Sequence, residues 1–104
     1  MHEIVASRAA QVADLCADFG VVRLEVFGSA SHGQGFDAKR SDVDLLVEFA
    51  SPSLETRNFG RFHDALEALF GRRVDLVERK AVEQSRNYIR RRSILANAEL
   101  LYAA

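Results

Sequence analysis

Two acidic residues, Asp42 and Asp44, stand two positions apart in the segment DVDLLVEF, residues 42–49. On a β-strand that spacing puts both carboxylates on one face, about 6.5 Å apart along the backbone. Carboxylates so close repel each other and resist ionising unless a cation sits between them. A divalent metal answers that need. Mg²⁺ takes one or two carboxylates and completes its octahedron with waters and phosphate oxygens. A third acid, Asp75, lies between Val74 and Leu76 in RVDLVE. If its strand runs beside that of Asp42 and Asp44, it reaches the same cluster. Three acids around two metals suit an in-line displacement, in which one metal activates an attacking hydroxyl and the other holds a triphosphate and its leaving group. Asp75 would then orient the hydroxyl or accept its proton. Taken singly, each of these aspartates also fits a solvent-facing strand position.

A turn precedes the aspartate pair. Gly28 and Ser29 end an alternating segment, VRLEVF, and open the loop SASHGQGFDAKRS. The glycine lets backbone approach a ligand closely. The serine can cap a short helix or turn whose free N–H groups face an anion. A Gly-Ser turn alone is common. A strand, this turn and D-x-D on the next strand together are far rarer.

The elements that must position these residues can be read from periodicity. Residues 3–19 carry Val5, Val12, Leu15, Cys16 and Phe19 at helical spacing, with Gly20 as the stop. Cys16 then serves as a small buried apolar group. Residues 22–27 alternate as a strand, as do 42–49. In the latter Val43, Leu45, Val47 and Phe49 face one way; Asp42, Asp44, Leu46 and Glu48 face the other. A second helix is expected over 56–70, ending at Gly71, and a third strand over 73–78. A last helix is expected from about 86 to 101, with Ile89, Leu95, Ala98 and Leu101 as its stripe beside Ile94 and Tyr102. The order predicts one α/β (α+β) domain over residues 1–104, a short mixed sheet flanked by helices.

Composition narrows the classes. The 104 residues are 48% hydrophobic and 28% charged, which excludes a disordered or collagen-like chain. A lone cysteine makes neither an intramolecular disulfide nor a thiolate zinc site. No apolar run approaches the ~20 residues of a membrane span, and no signal pattern opens the chain, so a cytoplasmic location is expected. The net charge of −1 argues against direct nucleic-acid coating. The charge is nonetheless uneven. Residues 1–71 balance to −5 and residues 72–92 to +5, with Arg72, Arg73, Arg79, Lys80, Arg86, Arg90, Arg91 and Arg92 in the basic stretch. That stretch is either a solvated face or a surface for an acidic partner or phosphates.

The segment VFGSASHGQGFDAKRSDVDLLVEF resembles the active-site signature of the DNA polymerase β-like nucleotidyltransferases. More narrowly, the chain resembles the minimal nucleotidyltransferases, the antitoxin partners of HEPN-domain toxins. The likeness runs on through FGRRVDLVE and NYIRRRSILANAELLYAA. It implies the polymerase β-like fold, with Gly28 and Ser29 holding the triphosphate. It also implies that Asp42 and Asp44 are metal ligands, with Asp75 the third acid, around two Mg²⁺ ions. The activity it implies is transfer of AMP from ATP onto a tyrosine of the cognate HEPN ribonuclease toxin, which silences it. The chain departs from the pattern twice. The stretch between Ser29 and Asp42 is two residues longer than usual, and Ala30 stands where an arginine commonly follows the Gly-Ser pair. Loop lengthening is thermodynamically cheap, and the five signature residues are all present, so an active enzyme is expected.

Lesser candidates surround this set. Ser41 is a candidate nucleotide contact or a turn cap. His32, Lys39 and Arg40 lie in the loop near the expected phosphates. His63 reads as a histidine at the core edge, and the three histidines lack metal-ligand spacing. Two other functions compete: an antitoxin that neutralises its partner by binding alone, and a transferase acting on a small molecule. A chain this short lacks a second domain to grip a small acceptor, which favours a protein acceptor.

Overall fold

The structure is a computed structural model that describes residues 1–28 and 42–104. Helix α1 spans Glu3–Ala6 and α2 spans Ala9–Phe19; strands β1 and β2 span Val21–Phe27 and Val43–Phe49. Helix α3 covers Pro52–Phe70, β3 Val74–Glu78, α4 Arg79–Glu83, α5 Tyr88–Asn97 and β4 Glu99–Ala103. The four strands form one mixed sheet in the order β3-β2-β1-β4. β1 runs antiparallel to both β2 and β4, while β2 and β3 are parallel.

Two layers of apolar side chains flank the sheet. On one face, Leu24, Val26, Val43, Leu45 and Val47 pack under α2 and α3. Phe62 of α3 is fully buried there, with its ring 5.8 Å from Phe19 and 6.0 Å from Phe49. Cys16 sits in this layer, and burial pushes its thiol up to about 12, which suits a packing role rather than a reactive one. On the other face a smaller cluster joins Phe27, Leu46 and Val82, closed by Ile94, Leu95 and Ala98. Leu46 therefore lies under cover among the acidic residues of its face. Glu25, on that same face, is buried and paired with Arg79 at the start of α4 and with Arg23.

Several boundaries differ from those expected. The first helix breaks at Ser7 and Arg8, and α2 resumes at Ala9. Helix α3 begins four residues early, because Ser51 accepts a hydrogen bond from the Leu54 N–H and Pro52 takes the first turn, where its missing donor costs nothing. The largest difference is at the C-terminus. The helix expected over 86–101 ends at Asn97, and Ala98 turns extended with ψ 135°. Residues 99–103 then pair along the open side of β1, with Leu24 opposite Tyr102. Apolar residues at 94, 95, 98, 101 and 102 satisfy a helical count. The backbone of β1 needs partners on that side, and pairing there outweighs the local helical pattern. Ile89, expected in the stripe, is 80% exposed.

Candidate active site

Asp44 sits mid-sheet on β2 with a neighbour on each side. On the parallel side its register partner is Asp75 of β3; on the antiparallel side it is Phe27, the last residue of β1. Parallel neighbours stand about 4.8 Å apart with side chains on the same face, so the expected meeting of Asp75 with the D-x-D strand occurs. Asp42 lies one residue before β2 and is exposed, with Oδ1 3.9 Å from Arg73 Nε. Gly28 follows Phe27 with φ 70°, in the left-handed region that side-chain-bearing residues avoid. A Cβ placed there would collide with Asp44 Oδ2. The backbone at Gly28 thus lies directly against the Asp44 carboxylate. Ser29 and Ser41 fall outside the described residues, as do His32, Lys39 and Arg40.

The electrostatics match this crowding. The Asp44 carboxyl is raised from 3.8 to about 6, first by burial, then by the charge of Asp75 and then by that of Asp42. Asp44 and Asp75 stand side by side, and Asp42, itself near Arg73, adds its charge to the crowding of Asp44. Hard carboxylate oxygens in that state fit a hard divalent cation.

Across from the carboxylates stands α5. A cleft of about 350 Å³ has Gly28, Asp44 and Asp75 on one wall and Arg90, Ser93 and Asn97 on the other. Arg90 belongs to the basic stretch recognised in the sequence. Ser93 and Asn97 carry no motif, and their only signal is that 90, 93 and 97 share a helical face.

A second acidic cluster serves another purpose. Among the described residues, His63, Asp64 and Glu67 bring three potential ligand atoms within 4.8 Å of one another. His63 Nε2, however, donates to the Val74 carbonyl at 2.9 Å, and Glu67 Oε2 accepts from the Val74 N–H at 2.9 Å. β3 is an edge strand, and the carbonyl of Arg73, just before it, accepts from the Val43 N–H on the β2 side. The Val74 side chain is buried in the core, while its backbone N–H and carbonyl face away from β2, and α3 clasps both of them one residue before Asp75. Burial lowers the His63 pKa, but the hydrogen bonds to Asp64 and Val74 and the Glu67 charge outweigh it, so the net displacement is upward from 6.5. A histidine raised on folding stabilises fully below its unfolded value, and that contribution is lost as pH rises through the folded one. Thermal melts should therefore show wild-type stability declining above pH 6.5. His63→Ala should lose about 1–2 kcal/mol below that pH and show a flatter profile. Equal pH slopes in the two proteins would refute the clasp's titration.

Comparison with known proteins finds similar sequences and similar folds. Residues 10–98 match the profile of the nucleotidyltransferase domain family. The chain is 39% identical over 84 residues to protein adenylyltransferase MntA of Thermococcus cleftensis, covering 80% of this chain and 81% of that protein. Among solved structures it is similar to a minimal nucleotidyltransferase with a TM-score of 0.71 and 35% identity, covering 94% of each chain. A toxin–antitoxin structure with AMP-PNP shares the fold with a TM-score of 0.63 at 18% identity, covering 92% of this chain and 73% of that one. So does an MntA–HepT complex, with a TM-score of 0.61 at 16% identity, covering 95% and 73%.

Proposed function

The chain belongs to the nucleotidyltransferase domain family, and we propose that it is a protein adenylyltransferase that moves AMP from ATP onto a tyrosine of a partner HEPN ribonuclease toxin, acting as that toxin's antitoxin. The observation that carries the reading is Asp44 flanked by Asp75 on one strand and by the backbone at Gly28 on the other. A protein acceptor is supported by the 39% identical MntA, itself a protein adenylyltransferase. A toxin partner is supported by the fold shared with MntA–HepT.

Asp42, Asp44 and Asp75 are the residues that would hold Mg²⁺, two ions on this reading. Bound there, the metal supplies charge neutralisation for the triphosphate and its leaving pyrophosphate. Gly28, lacking a side chain, lets its backbone pack against the Asp44 carboxylate at the expected phosphate site, and Ser29 and Ser41 are assigned to the nucleotide. Asp75 orients the tyrosine hydroxyl and takes its proton as the new phosphorus–oxygen bond forms and the bond to pyrophosphate breaks. The domain of residues 1–104 works in the cytoplasm, where the lone buried thiol of Cys16 stays reduced.

The test is direct. The protein is mixed with the candidate toxin encoded beside it, Mg²⁺ and ATP labelled at the α-phosphate. Label is expected on the partner with the wild-type protein and not with the Asp42→Asn/Asp44→Asn variant. An unlabelled partner still neutralised in a tight complex would replace the enzymatic account with simple occlusion.

A further inference from the structure

Four arginines crowd residues 86–92, and the structure distinguishes among them. Arg91 Nη1 donates to the Ser85 carbonyl at 3.1 Å, and its guanidinium lies 5.5 Å from the Tyr88 ring centre. Arg92 Nη1 reaches the Tyr88 hydroxyl at 3.4 Å. Neither lines the carboxylate cleft, nor does Arg86. Arg90 does, on the wall opposite Asp44 and Asp75. Its backbone N–H is fixed by Asn87 Oδ1 at 3.1 Å, and α5 is seated by Ile94 and Leu95 on the second cluster. The root of the side chain is thus held, while among the described residues no partner holds its head. Among the described residues Arg90 makes no ion pair, although it shares its cleft with two aspartates. It also rims a shallow hollow of about 150 Å³ floored by Val77, Val82 and Ile94, where no carboxylate competes for it.

A cleft with acids on one wall and an unpaired guanidinium on the other selects its ligand by charge. A cation alone would be repelled by the arginine, and a bare anion by the aspartates. A metal-chelated polyphosphate satisfies both walls, with the metal toward the carboxylates and uncoordinated phosphate oxygens toward the guanidinium. The planar fork of arginine fits two such oxygens at once. Resting on the nucleotidyltransferase reading above, we propose that Arg90 grips the phosphate chain of the bound nucleotide from across the cleft, with the Ser93 hydroxyl beside it on the same helical face. Arg90 is then a substrate-binding residue that no part of the D-x-D signature encodes.

Calorimetry on the purified protein tests this with two probes, ATP in the presence of Mg²⁺ and adenosine. Arg90→Ala is expected to weaken ATP binding about tenfold or more, the scale of a lost hydrogen bond to a charged group, and to leave adenosine binding unchanged. Arg90→Lys should recover part of the loss, since a point charge replaces the fork. Arg92→Ala should bind ATP as the wild type does. Unchanged ATP affinity in Arg90→Ala, or an equal loss for adenosine, would overturn the assignment while leaving the transferase reading intact. A wild-type protein that binds no ATP would overturn both. Because Arg90 is exposed, the variants should melt with the wild type.

Discussion

Asp44→Asn is expected to abolish nucleotide transfer and, at neutral pH, to make the protein more stable. The two effects share one cause. Asp44 is crowded by burial and by the charges of Asp75 and Asp42, so its carboxyl holds a proton up to about pH 6 instead of 3.8. Between those values the native state binds more protons than the unfolded chain. Stability from this group is therefore present at low pH and falls as pH rises towards 6, leaving an unfavourable charge above it. An amide of the same shape carries no such charge. Partial solvent exposure tempers the gain to about 1 kcal/mol, which in a domain of this size moves the melting temperature by roughly 4–8 °C. At pH 4 the gain should vanish, because the wild-type carboxyl is then protonated too. Transfer should fall about a thousandfold or more, the equivalent of about 4 kcal/mol of transition-state stabilisation withdrawn with a metal ligand. Melting curves at pH 4 and pH 8 beside labelled-ATP assays check both halves. A variant destabilised at pH 8 would show that the carboxylates are compensated in some other way. The general point is that the charge making Asp44 useful for holding a cation is a cost to the empty fold, a trade expected where a site is arranged for its ligand.

Much of this site was legible in the sequence because strand periodicity is rigid. Alternation over 42–49 places Val43, Leu45 and Val47 in the core, which turns Asp44 to the opposite face, and the structure buries all three valine and leucine side chains. Asp75 between Val74 and Leu76 follows the same rule. The sequence was silent on strand order, and so on whether Asp75 and Asp44 meet; that depends on β3 running parallel beside β2. It misled at the C-terminus. Leu100, Leu101 and Tyr102 suit either period over so short a run, and only the unpaired side of β1 decides for a strand. That error also hid one wall of the cleft. The expected stripe runs from Ile89 to Leu101, whereas Ile89 is exposed and α5, ending at Asn97, is seated through Ile94, Leu95 and Ala98, which presents Arg90 and Ser93 to the carboxylates. The clasp on Val74 was likewise invisible, because His63 and Glu67 meet it only when an outward-facing edge backbone lies beneath α3.

Gly28→Ala should lose transfer through a different route, by moving Asp44 rather than neutralising it. The new methyl would have to occupy the space of Asp44 Oδ2, with Cγ only 3.4 Å away, from a backbone held at φ 70°. Asp44 has a short side chain on a strand locked between two partners, so the carboxylate must rotate rather than withdraw. Rotation carries it out of line with Asp75. A displacement near 1 Å at a reacting centre costs about a hundredfold in rate. The left-handed backbone adds about 1–2 kcal/mol of strain for any residue with a Cβ, so here the melting temperature should fall, opposite in sign to Asp44→Asn at pH 8. The double variant separates the two routes. If Gly28 acts on transfer through Asp44, then Gly28→Ala made in the Asp44→Asn background should remove little further activity, while its strain on stability persists, since the amide is as bulky as the acid. Losses in transfer that simply multiply would assign Gly28 a second role independent of Asp44, in direct contact between its backbone and the phosphate chain.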